Sequence, residues 1–122
     1  MIDIPAVLKA LTPGAEWIVY GEDYSGIEWL DTEQTQPTEE EVVQKIAELK
    51  YQEEVNEYQR QRAVEYPSYA DQFDQIFHDG IDTWKATILE VKRKYPKQVM
   101  EPEVLEERKR QALADLEASR AE

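Results

Sequence analysis

The residues of this chain best suited to chemistry lie in one short run, DQFDQIFHDGID, where Asp71, Asp74, Asp79 and Asp82 surround the single histidine, His78. Carboxylates and an imidazole at such spacing raise the question of a metal centre. A calcium loop places acidic residues at alternate positions ahead of its glycine and a glutamate about six residues beyond it, in non-helical backbone. Here Gln72, Gln75 and Phe77 interrupt the series, and one histidine without a second ligand falls short of a zinc site. The spacing suits helix ends instead: Asp71 in a first turn, Gly80 as a terminator and Asp82 as the cap of the next helix.

The rest of the chain offers no stronger grouping. Glu39, Glu40 and Glu41 read as the negative start of a helix rather than a catalytic pair. There is no cysteine, so thiolate ligands, disulfides and thiol nucleophiles are excluded together. The four glycines are too dispersed for a phosphate-cradling loop, and no G-x-S-x-G is present. The expectation is a non-enzymatic protein with no catalytic residue, no metal and no cofactor.

Charge narrows the partner class. The formal net charge is −13 over 122 residues, and most of it precedes Pro67. A field of that sign repels nucleic acid and lipid headgroups, so neither is expected as a partner, and a cationic protein or plain solubility is the better reading. No run approaches the roughly 18 apolar residues of a spanning helix, and MIDIPAVLKAL lacks the basic flank of a signal peptide. The expected location is the cytoplasm.

Periodicity sets the elements that position these residues. Asp3 caps a first helix carrying Pro5, with Ile4, Val7, Leu8 and Leu11 on one stripe. EWIVY (16 to 20) and GIEWLD (26 to 31) alternate as two β-strands joined by turn formers, with Trp17 and Val19 on one face of the first and Ile27 and Trp29 on one face of the second. Thr38 and Glu41 stand in capping-box relation and open a long helix running to about Tyr66. Its apolar stripe (Val42, Ile46, Leu49) changes sides near Lys50 to Tyr51, Val55 and Tyr58, as expected of a helix that serves two partners in turn.

Beyond the Tyr66-Pro67 break, Ser68 caps a helix whose Phe73, Ile76 and Phe77 are expected to form its apolar face. After Gly80, Trp84, Ile88, Val91 and Tyr95 mark a second helix that ends at Pro96. Lys92, Arg93 and Lys94 close that helix, as solvated helix-end chemistry or as a patch for an acidic partner. Pro102 opens a last helix whose apolar edge is thin, so it reads as protruding or loosely docked.

The predicted fold class is α+β, mostly α: an N-terminal helix plus a two-stranded antiparallel hairpin, a long connecting helix, then a helical hairpin and a C-terminal helix. The expected division is 1–50, 51–97 and 98–122. Trp17, Trp29 and Trp84 are expected in the core, or else as interface anchors. The candidate partner-binding residues are Tyr20, Tyr24 and Tyr69, at element ends with a polar tip to spare, and Leu105, Leu113 and Leu116 on the last helix. That helix is also the candidate for self-association.

Two passages carry a resemblance. GAEWIVYGEDYSGIEWLDTEQTQPTEEEV resembles the N-terminal module of small tail-assembly proteins of tailed bacteriophages. YQRQRAVEYPSYADQFDQIFHDGIDTWKATILEVKRKYPK resembles a helical module near the C-termini of small proteins encoded beside phage tail-fibre genes, through its Tyr-Pro, Asp71, Gln72, Phe73, Asp74, Trp84 and closing Tyr95-Pro96. Together they cover about three quarters of the chain. The resemblance implies a tail-fibre assembly chaperone or fibre-associated tail protein. It would act in the host cytoplasm during assembly, with retention in the virion tail left open, and its partner would be the phage tail-fibre protein. A different class of reading, prompted by charge alone, is an acidic inhibitor or nucleic-acid mimic aimed at a host protein.

Overall fold

The computed structural model describes residues 2–121. The chain is mostly helical, with one two-stranded sheet, and its residues divide into two compact units. One comprises the residues up to Gln52 together with those from Met100 on; the other is Glu53–Val99.

In the first unit, α1 (Ile4–Leu11) starts where Asp3 accepts a bond from the Ala6 amide at 2.9 Å. It ends at Thr12, whose hydroxyl and amide both donate to the Leu8 carbonyl. Its stripe supplies the core: Ile4, Val7 and Leu8 are buried with Val42. Each such side chain contributes about 1.5–3 kcal/mol by leaving water. Strands β1 (Trp17–Val19) and β2 (Ile27–Trp29) pair antiparallel with Trp17 opposite Trp29. Alternation turns Trp17, Val19, Ile27 and Trp29 onto that core and leaves Ile18 exposed.

A carboxylate closes the hairpin. Asp31 accepts from the amides of Gln34 (2.6 Å), Glu16 (3.0 Å) and Glu33 (3.1 Å), which hold its carboxyl below the ordinary 3.8. Trp29 donates its indole N–H to the Gln34 carbonyl at 3.0 Å, so the same turn also anchors the ring. Because the folded state lowers this pKa, Asp31 stabilises the fold fully above about pH 4, and that contribution disappears as pH falls through the folded value. In melts between about pH 5 and about pH 2, the first unit should lose stability more steeply in wild type than in Asp31→Asn. Parallel curves would deny Asp31 this role.

Helix α2 (Glu39–Glu65) opens on Thr38, whose Oγ1 accepts from the Glu41 amide at 3.1 Å and donates to the Glu41 carboxylate. Its stripe changes sides as expected. Val42, Ile46 and Leu49 pack in the N-terminal core. Tyr51 is buried but stays in the first unit, where its hydroxyl accepts from the Glu101 amide at 3.0 Å and Arg108 lies 5.1 Å over its ring. Arg108 belongs to α5 (Pro102–Arg120), the helix whose thin stripe reads as protruding or loosely docked. It lies along α2: Arg120 bonds Glu39 and Glu40 at 2.7 Å each, and Lys109 stands 3.9 Å from Glu48. Ion pairs and a tyrosine cap do here what apolar area alone did not promise.

In the second unit, α3 (Tyr69–Asp79) begins at Ser68, whose hydroxyl accepts from the Asp71 amide at 3.1 Å. Helix α4 (Ile81–Lys94) follows without a loop. Gly80 serves as both the C-cap of α3 and the N-cap of α4, which corrects the expectation that Asp82 caps α4; Asp82 lies in its first turn. At φ 90°, ψ 166°, Gly80 occupies a region essentially reserved for glycine, although a Cβ there would meet nothing within 4 Å. Gly80→Ala should therefore cost about 1–2 kcal/mol through backbone strain alone. Chemical denaturation would check this, and an unchanged midpoint would contradict it.

Candidate partner-binding face

Two polar bonds join α3 to α4. The Trp84 indole donates to Gln72 Oε1 at 3.0 Å, and Gln75 Nε2 donates to the Thr87 hydroxyl at 2.8 Å. One turn separates the two bonds on each helix, so α3 turns its Gln72, Gln75 and Ile76 side toward α4. The consequence falls on the aromatics. Phe73 and Phe77, expected to form the apolar face of α3, are 70% and 84% exposed, and Tyr69 is 81% exposed. The three recur at i, i+4 and i+8, which sets them in one row along the outside of the helix. Phe77 has the neighbouring His78 ring edge-on at 5.0 Å.

The base of the hairpin is clasped to the end of α2. Arg62 donates to the Tyr95 carbonyl at 2.8 Å and to the Lys92 carbonyl at 3.3 Å, with its guanidinium 4.9 Å over the Tyr58 ring. Glu65 receives Lys94 Nζ at 2.7 Å and the Tyr95 hydroxyl at 2.6 Å, and these two bonds hold its carboxyl below the ordinary range. The same contacts push the Lys94 ammonium and the Tyr95 phenol up. Lys94 thus has an intramolecular partner.

One depression lies at the Tyr69 end of the row, and a second lies across α3 from it. One, of about 310 Å³, is lined by Ala63, Tyr66, Pro67, Ser68, Tyr69 and Gln72. The other, of about 400 Å³, is lined by Asp71, Asp74, His78 and Asp79 among others. Among the described residues Asp71, Asp74 and Asp79 make no ion pair. No group of three or more described residues is placed to hold a metal, and no described helix is long and apolar enough to cross a membrane.

The other sequence-predicted partner residues lie in the first unit. Tyr20 is 63% exposed, and its hydroxyl donates to Glu28 at 3.1 Å, which raises its pKa. Tyr24 packs against the N-terminal core and donates to the Pro37 carbonyl at 2.7 Å, so its polar tip is engaged internally. Leu105, Leu113 and Leu116 are half-buried on α5. Leu116 lines a groove of about 430 Å³ with Val43, Ile46, Ala47 and Ala112. Only Tyr69 belongs to the aromatic row. Phe73 and Phe77 were missed as surface residues; their i, i+4, i+8 spacing with Tyr69, opposite a glutamine-bearing face, was the signal.

No family model, curated protein or solved structure matches the chain.

Proposed function

We propose that this chain is a non-enzymatic tail-fibre assembly chaperone or fibre-associated tail protein, which holds fibre protein through the row Tyr69, Phe73 and Phe77. The observation that carries the reading is the exposure of three aromatics on one well-capped helix. A row of that kind on an acidic, highly charged chain suits a protein that covers a partner's apolar surface while staying soluble itself. The passage that resembles the fibre-associated helical module contains the whole row. The mimic reading has less behind it, because Glu39, Glu40 and Glu48 are engaged by Arg120 and Lys109 rather than presented in ordered rows. Its site of action would be the host cytoplasm during assembly, and mass spectrometry of purified particles would decide retention in the tail.

Co-expression with the fibre protein tests the proposal. Soluble, trimeric fibre is expected with the wild-type chain and aggregated fibre with Phe73→Ser/Phe77→Ser. Fibre that is equally soluble and trimeric without this chain would remove the chaperone role.

A further inference from the structure

We infer that the groove between α2 and α5 receives a helix from a partner protein, apolar along one edge, acidic in its first turn and basic in its last. This site lies in the first unit and is separate from the aromatic row, which belongs to the second. From α2, the groove is lined by Val43, Ile46, Ala47 and Lys50, at i, i+3, i+4 and i+7. From α5, it is lined by Arg108, Gln111, Ala112 and Asp115, at the same four spacings. Four residues so placed enclose the hole into which one side chain of a facing helix packs. Both walls therefore carry the surface that a third helix needs. Alanine at 47 and 112 leaves room for large apolar side chains in a groove of about 430 Å³, where Val43, Ile46 and Leu116 are half-buried.

Charge distinguishes the two ends. The helices run antiparallel, since Arg120 meets Glu39 and Glu40, Lys109 stands by Glu48, and Arg108 lies over the Tyr51 ring. Lys50 and Arg108 thus share one end of the groove, and Asp115, which accepts from Gln111 Nε2 at 2.8 Å, lies at the other. A helix favours acidic residues in its first turn and basic ones in its last. Such a helix fits with its first turn beside the two cations, where glutamates outweigh the terminus's own partial charge of about +0.5. It then runs antiparallel to α2, with its basic last turn beside Asp115.

Length agrees with this. From Val43 to Lys50 is about 10 Å along the axis, the span of leucines at i, i+3 and i+7 on the occupant. A second copy of the chain suits the groove less, because each copy carries −13 and like net charge opposes association.

The test uses the full chain and two fluorescent synthetic helical peptides with leucines at i, i+3 and i+7. One has glutamates in its first turn and lysines in its last; the other has lysines in both. The charge-balanced peptide should bind more tightly, although the field of an acidic chain favours the all-lysine one. Ala47→Leu/Ala112→Leu, which fills the groove with the chain's own side chains, should weaken binding at least about tenfold. Lys50→Glu, at an exposed position, should weaken it about three- to tenfold and remove the preference. Circular dichroism should be unchanged in both variants, since leucine and glutamate are good helix formers. Absence of binding, equal or tighter binding of the all-lysine peptide, or insensitivity to the filled groove would overturn the inference. So would a wild-type dimer in sedimentation velocity that the Ala47→Leu/Ala112→Leu variant no longer forms, since a second copy would then occupy the groove. Phe73→Ser/Phe77→Ser should leave the peptide affinity unchanged, and a loss there would move the peptide to the aromatic row and overturn the assignment. A fibre that proves soluble on its own leaves this result standing, because the readout is peptide binding in the other unit.

Discussion

Replacing Gly26 with alanine should dismantle the hairpin of the first unit. An alanine Cβ at this position would lie 1.9 Å from the Tyr20 carbonyl oxygen and 3.0 Å from its carbon. The obstacle is backbone, so no side chain can swing aside. The same two residues are held together by the Tyr20 amide bond to the Gly26 carbonyl at 2.8 Å. Relieving the clash therefore means breaking the ladder one step beyond the Val19↔Ile27 pair. The strands carry Trp17 and Trp29 against the core, so a shift there is felt by Val7 and Leu8. The expected cost is about 3 kcal/mol or more, read as a lowered denaturation midpoint and weaker near-ultraviolet dichroism. Gly21→Ala is the control. Gly21 has φ 81° but open space around it, so strain alone should cost about 1 kcal/mol. Equal effects of the two substitutions would refute the steric argument.

Trp84→Ala should loosen the second unit by about 3 kcal/mol while leaving the first folded. The ring is half-buried on the side of α4 that also bears the buried Val91. Its removal also leaves Gln72 Oε1 without the indole donor, on the face that joins α3 to α4. Trp84→Phe separates the two effects, since it keeps most of the ring and loses only the hydrogen bond, at about 1 kcal/mol. Hydrogen exchange should show protection falling across Glu53–Val99 and holding through α1 and the hairpin. Uniform loss along the chain would mean that the two units do not unfold separately.

What was legible in the sequence is mostly local. Asp3, Thr38 and Ser68 each cap the helix they were read to cap, because a cap depends on residues three positions apart. The alternation in the two strands told which tryptophans face inward for the same reason. Phe73 and Phe77 show where local reading stops. Periodicity says that Phe73, Ile76 and Phe77 share a broad face, but not which edge of it is covered, and the polar bonds from Gln72 and Gln75 to α4 turn the phenylalanines outward. The placement of α5 was hidden for a different reason. Its contacts to Tyr51, Glu39 and Glu40 join residues 50 to 81 positions apart, and an arginine in a last turn looks the same whether it meets solvent or a carboxylate. At the candidate site only Tyr69 was legible, since its place just after Ser68 at a helix start marked it as an exposed end.

The path of the chain through its two units has a consequence for biosynthesis. The first unit is built from both ends of the described sequence, with Glu53–Val99 inserted between Gln52 and Met100. During translation the inserted segment is complete before α5 has been made. The hairpin bearing Tyr69, Phe73 and Phe77 is thus free to fold on the nascent chain. The first unit must wait for Arg120, almost the last residue described, before the ion pairs at the head of α2 can form. Truncations that remove α5 should therefore yield a chain whose aromatic row is already competent while its N-terminal half still lacks those ties.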